Sequence, residues 1–142
     1  LGSSTTFTIN IIFMDPIADM INSLKLAGKA GLPSVTVGHS NLKFSIAKLL
    51  ESEGYLKSVT KGGKKNHQLI QCELNYQGGE TKIAGVKRVS KPSRRVYVES
   101  RELPRVKSSR GTAIISTSKG LKTVKEAMTD KVGGELLFTI WS

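Results

Sequence analysis

The chain has 142 residues with 22 Lys plus Arg against 11 Asp plus Glu, a formal net charge of +11 that points to a polyanionic partner. Its length suits one compact unit or two small lobes, and no uncharged apolar run reaches the roughly 18–20 residues of a membrane helix, which predicts a soluble protein. Cys72 is the only cysteine, which excludes an internal disulfide and a thiolate metal cluster.

Residues 1–13 carry no charge, and residues 5–13 are rich in β-branched and aromatic side chains. They lack the basic start and small-residue cleavage site of a secretory signal. They read either as a leader before a start at Met14 or as a short strand added to a sheet edge. Asp15 followed by Pro16 predicts a helix start, because the carboxylate accepts orphan amide bonds and the fixed φ of proline suits the first turn. Ile17, Met20, Ile21 and Leu24 mark its apolar face, and Gly28 and Gly31 can end it. Residues 33–37 form a short strand leading to a second cap at Ser40 or Asn41. Leu42, Ile46, Leu49 and Leu50 give the second helical stripe, closed by Gly54 in a left-handed conformation.

Residues 55–59 and 67–76 read as strands joined by a basic, glycine-containing turn at 61–66. In the returning strand Ile70, Cys72, Leu74 and Tyr76 share one face, and Gln71, Glu73 and Asn75 the other. Gly78 and Gly79 turn the chain into an extended segment at 82–89, where Gly85 suggests a bulge. Pro92 and Ser93 form a turn before a short strand at 94–98, and Leu103 and Pro104 break the chain. Residues 112–115 resume a strand, 123–129 form a short helix and 135–141 a final strand. The fold class is α+β: an N-terminal α/β lobe of helix, strand, helix and strands over 14–87, then a mainly β lobe with a short helix over 88–142.

Charge is unevenly placed along this plan. Residues 14–54 hold four basic and four acidic side chains, residues 55–99 ten and three, and residues 100–142 eight and four, so attraction for polyanions begins past residue 54. Enzyme chemistry finds little support. His39 and His67 stand alone, neither with a ligand partner at helical spacing, and no nucleophile sits beside a base, so neither metal nor cofactor is expected. Lys61, Gly62, Gly63, Lys64 and Lys65 look superficially like a phosphate loop, but such a loop needs Ser or Thr after its lysine and then a helix. The segment reads equally as a solvated turn or as a basic finger against nucleic-acid backbone.

Two clusters point to RNA. Arg88, Lys91, Arg94 and Arg95 surround Pro92, with Tyr97 just beyond, placing cations for phosphates beside a ring on which a base or ribose stacks. Ser116, Thr117, Ser118, Lys119 and Gly120 put three hydroxyls and an ammonium at a strand's exit. Hydroxyls both donate and accept, so they can read base edges or ribose, while a lysine meets phosphate as a point charge. One hydroxyl suffices to cap a following segment; three in succession exceed that need, and a glycine lets the backbone approach a ligand closely.

With these segments in this order, residues 14–141 resemble the bacterial-type small-subunit ribosomal protein eight family. The resemblance rests on residues 15–20 (DPIADM), 42–55 (LKFSIAKLLESEGY), 88–97 (RVSKPSRRVY), 102–106 (ELPRV), 116–120 (STSKG) and 133–136 (GGEL). It implies a two-lobed, non-catalytic protein of the small ribosomal subunit, without cofactor or membrane. Its second lobe and first-helix region would bind the central domain of small-subunit ribosomal RNA, beside neighbouring small-subunit proteins. By the same resemblance Ser116, Thr117 and Ser118 make base and ribose contacts, with Gly120 allowing the approach. Tyr97 packs there, Glu135 orders the site, and Lys119, Arg94 and Arg95 meet phosphates; Lys91 and Arg88 are expected contacts from the basic cluster itself.

The resemblance places the chain on a cytoplasmic ribosome, with an organellar ribosome as the open alternative, and repression of its own messenger RNA is a related reading. Two departures stand out. The family often carries an arginine-rich Thr-Arg-Ile-Arg-Asn stretch where this chain has Asn22, Ser23, Leu24, Lys25 and Leu26, which leaves Lys25 as the contact expected from the first helix. Ser93 stands where a glycine is usual, so its turn must avoid positive φ or carry strain. The reading from another class is a small enzyme on phosphorylated substrates, with Lys119 and the serines as an anion cradle, but it lacks a general base.

Overall fold

The computed structural model describes residues 15–64, 67–106 and 111–142; the leader and the end of the basic turn at 65–66 lie outside them. Helix α1, Pro16–Ala30, starts as its residues dictate: Asp15 is the N-cap and accepts the Ala18 N–H at 3.3 Å. Ile17, Met20, Ile21, Leu24 and Ala27 are buried along one face, and Gly31 ends the helix at φ +74°. Gly28 serves packing instead, since a Cβ there would lie 2.6 Å from Thr81 Cγ2. Strand β1, Ser34–Gly38, leads to Ser40, which caps helix α2, Asn41–Ser52, by accepting the Lys43 N–H at 3.1 Å. Ile46, Ala47 and Leu50 are its buried face; Leu42 falls outside it and is exposed.

Strand β2, Leu56–Lys64, runs further than the sequence suggests, with Lys61, Gly62 and Gly63 paired to Ile70, Leu69 and Gln68 of β3, His67–Leu74. Most of the basic segment is therefore strand, not loop. Tyr76 leaves β3 for a separate ladder of β4, Tyr76–Gln77, and β5, Glu80–Thr81, around the positive-φ pair Gly78 and Gly79. The first sheet has the order β1-β3-β2, and its Ile70, Cys72 and Leu74 join the core under α1 and α2. Burial pushes the Cys72 thiol up to about 11, which leaves it unreactive.

The second sheet contains β6, Gly85–Arg88; β7, Tyr97–Val98; β8, Gly111–Thr117; β9, Gly120–Thr123; and β10, Gly134–Trp141. Its order is β6-β10-β8-β9, with β7 also on β10, so the chain changes sheets between Thr81 and Gly85. Gly85 is not a bulge. The ladder runs unbroken from Gly85↔Trp141 to Arg88↔Phe138, and the glycine is needed because the Trp141 ring occupies the space of a Cβ.

The bulge lies instead on β10 between Leu136, opposite Ile115, and Phe138, opposite Ile114. One extra residue turns the rest of the strand over. Leu137, Phe138 and Ile140 consequently join Ile114 in the main core with α1, α2 and the first sheet, while Leu136 joins Ala113 and Ile115 on the other face. Each large side chain buried there contributes about 1.5–3 kcal/mol, so the two sheets and their helices are held together by a shared core.

Leu103 and Pro104 continue the chain rather than break it. Glu99 and Glu102 form a capping box, in which the Glu99 N–H donates to Glu102 Oε1 at 3.2 Å, and this starts a 3-10 turn, Ser100–Glu102. The turn runs into helix α3, Leu103–Val106, where proline in the first turn forfeits no hydrogen bond and Leu103 is buried. Helix α4, Val124–Asp130, is capped by Thr123 and packs Val124 and Ala127 beside Leu103 in the second core.

Candidate nucleic-acid interface

β8 and β9 pair from Ile114↔Thr123 to Thr117↔Gly120, leaving Ser118 and Lys119 as a two-residue hairpin turn. Thr117 closes that turn: its Oγ1 accepts the Lys119 N–H at 3.1 Å and donates to Gly120 O at 2.7 Å. Gly120 stands at φ +106°, a conformation natural only to glycine. The hydroxyl of Thr117 is thus spent inside the turn. Those of Ser116, half-buried, and Ser118, exposed, have no partner among the described residues, and exposed Lys119 forms no ion pair there. Lys122 differs: it meets Asp130 at 2.8 Å, and that hydrogen bond raises the lysine's pKa and lowers the aspartate's.

Register brings distant residues into one row. Glu135 on β10 lies opposite Ser116 on β8 and Tyr97 on β7. Directly paired residues share a face of the sheet, so Tyr97, Glu135 and Ser116 stand side by side across about 10 Å, two strand spacings. Tyr97 is 68% exposed, a ring held out from the strand. Glu135 has only 18% of its side chain exposed and is engaged on two sides: Arg95 Nη1 donates to its Oε2 at 3.0 Å, and buried Ser90 donates to the same oxygen.

Ser90 is the hinge pin of the basic loop. Its Oγ also accepts the Val96 N–H at 3.2 Å, while its own N–H donates to Leu136 O at 3.1 Å, fastening both ends of residues 90–96 to β10. Between them Lys91 and Arg94 exchange backbone bonds of 2.9 and 3.0 Å around Pro92 and Ser93. Ser93 is not among the positive-φ residues, so the turn accommodates serine in place of glycine without left-handed strain. Lys91 and Arg94 project into solvent with no ion pair among the described residues. Arg95 remains half-exposed despite its bond to Glu135.

Two expected contacts sit elsewhere. Arg88 Nε bonds Asp15 Oδ2 at 2.7 Å with only 8% of its side chain exposed, and the guanidinium also donates to Leu137 O. Its charge is committed to joining α1 to the second sheet. Lys25 is half-buried on α1. The sequence reading passed over Ser90, whose only signal was its place inside the RVSKPSRRVY segment, and Gly133 and Gly134. A Cβ on Gly133 would collide with Val98 O, and one on Gly134 with Ser116 O, so both glycines hold β7 and β8 close about β10.

These segments are those on which comparison with known proteins bears. The family model for ribosomal protein S8 matches residues 15–141. The small ribosomal subunit protein uS8 of Mycoplasmopsis synoviae is 48% identical over 128 residues, covering 89% of this chain and 97% of the relative. Those of Corynebacterium efficiens and Halothermothrix orenii are 44% and 41% identical, each with the same coverage. A match of this extent spans both sheets and the whole of the candidate interface. The chain belongs to the ribosomal protein S8 family.

Proposed function

We propose that this chain is a non-catalytic constituent of the small ribosomal subunit that binds the central domain of its ribosomal RNA directly and supports its assembly. The observation that carries this reading is the division of labour at the interface. Thr117, Ser90 and Glu135 spend their polar groups on ordering the turn, the row and the loop, whereas Ser116, Ser118, Lys119, Lys91, Arg94 and the Tyr97 ring stay available. Tyr97 offers a stacking surface for an unpaired base, and Ser116 and Ser118 offer donors and acceptors for base edges or the ribose 2′-hydroxyl. Lys119, Lys91, Arg94 and the exposed side of Arg95 supply salt-sensitive phosphate contacts. Relatives named as small ribosomal subunit proteins support the assignment. A segment of its own messenger RNA folded to the same shape would meet the same groups.

The reading is tested by co-sedimentation of the full chain with ribosomal particles, followed by probing of the bound RNA. The expected result is association with small subunits and protection centred on the central domain. Association only in proportion to bulk RNA, or with none, would contradict it.

A further inference from the structure

We propose that Lys131 is a further RNA-phosphate contact, which carries the interface from the hydroxyl turn around the end of the second sheet to the C-terminus of α4. This rests on the RNA-binding reading above and adds a residue that neither the hydroxyl run nor the basic loop contains. Among the described residues Lys131 is the one non-glycine with positive φ, at +57°. The left-handed region presses the Cβ of an L-residue against its own backbone, so glycine or asparagine is the usual occupant. A lysine held there carries strain, and strain of this kind gathers where function asks for a particular side chain.

The helix end fixes that backbone. The Lys131 N–H donates to Met128 O at 3.3 Å and the Val132 N–H to Ala127 O at 3.1 Å, the paired bonds of a Schellman turn, while Val132 packs on the second core that contains Ala127. Stability alone favours a cation inside the last turn, against the negative end of the helix dipole, and a glycine just after it. The chain has the reverse order: Asp130 ends the helix and the lysine follows.

Asp130 is tolerated there because Lys122 bonds it at 2.8 Å. That hydrogen bond, and to a lesser degree the charge of Lys119, holds the Asp130 carboxyl below its ordinary value, so Lys119 lies within electrostatic range of the helix end. With Asp130 committed to Lys122, exposed Lys131 has no ion pair among the described residues, and neither has Lys119. Three residues on, Gly134 lies opposite Thr117, which keeps the Lys131 Cα within about 11 Å of the Gly134 Cα, beside the strand end that carries the turn. Lys119 and Lys131 are thus placed to attend phosphates of one RNA segment whose bases meet Ser116 and Ser118.

The decisive variant is Lys131→Gly, because it removes the left-handed strain together with the charge. Its melting temperature is expected to equal or exceed that of the wild type, while its affinity for central-domain RNA falls several-fold and its salt dependence becomes shallower by about one. Lys131→Asn, neutral but tolerant of the same backbone, is expected to bind like the glycine variant, and Lys131→Arg like the wild type. Lys87→Gln makes the same change of charge on the opposite face of the second sheet from the row, and is expected to keep the wild-type salt dependence. Wild-type affinity and slope for Lys131→Gly would overturn the proposal while leaving the hydroxyl interface standing. An equal loss with Lys87→Gln would reduce the effect to net charge and overturn it too, as would a clear fall in the melting temperature of Lys131→Gly, which would make the lysine a helix-end residue. A wild type that does not bind the RNA would overturn both this inference and the reading beneath it.

Discussion

Replacing Gly134 with alanine is expected to lower the melting temperature by about 10 °C, from roughly 3 kcal/mol of lost stability, and to abolish RNA binding with it. The new Cβ would collide with Ser116 O and come within 2.8 Å of its carbonyl carbon and 3.1 Å of Thr117 Cα. These are backbone atoms of the neighbouring strand, so no side chain can swing away; β8 and β10 must part. Gly134 lies opposite Thr117 on one side and Val98 on the other, so the separation spreads to the row that holds Tyr97, Glu135 and Ser116. Gly62→Ala is the control, because its Cβ enters open space and the residue has no positive φ. Thermal unfolding followed by circular dichroism checks both, and a Gly134→Ala shift within about 2 °C would contradict the close strand approach.

Arg88→Ala is expected to cost about 3 kcal/mol, because it leaves Asp15 beside the helix start with a carboxylate only 14% exposed and no counter-charge. Asp15 must still cap α1, so it cannot simply turn to solvent. Asp15→Asn keeps a capping side chain while removing the charge. The double variant Arg88→Met/Asp15→Asn should therefore recover part of the loss, as a buried pair replaced by neutral groups often does. Urea titration measures each. A loss under about 0.5 kcal/mol for Arg88→Ala would show a solvated guanidinium and return Arg88 to the list of free RNA-facing cations.

Local features were readable because their causes lie within a few residues. Asp15 before Pro16, Ser40 before α2 and left-handed Gly31 each declare themselves by chemistry inside one turn. The face shared by Ile70, Cys72 and Leu74 was equally plain from alternation. Long-range choices were hidden. Nothing near Gly85 announces that the Trp141 ring will occupy its missing Cβ, so the glycine looked like a bulge. The true bulge, at Leu137, is one apolar residue among several, and only the demands of two cores on opposite faces explain it. Pro104 reads as a breaker on its own, but the capping box of Glu99 and Glu102 starts a turn that places it in the first turn of α3, where proline is tolerated.

The interface divides the same way. The hydroxyl run and the arginine-rich loop stand out in the sequence, but which of their groups remain free does not. Thr117 is consumed by its own turn, Arg88 by Asp15 across 73 positions, and Ser90 is tied to Glu135 across 45. Those pairings depend on strand register, which the bulge and the Gly133 and Gly134 contacts set together. The site is accordingly smaller than the run of suggestive residues, and its positive charge is more completely exposed.

The measurement that tests the central claim most directly is titration of a central-domain RNA with Ser116→Ala/Ser118→Ala, at several salt concentrations, beside Arg94→Gln. The serine variant is expected to lose about 2 kcal/mol, roughly 30-fold in Kd, with the wild-type salt dependence, because it forfeits two neutral hydrogen-bonding groups and no charge. Arg94→Gln is expected to flatten the salt dependence by about one while leaving preference among RNAs intact. A serine variant that binds with full affinity and unchanged preference would contradict the account, and would move recognition away from the turn at residues 116–120.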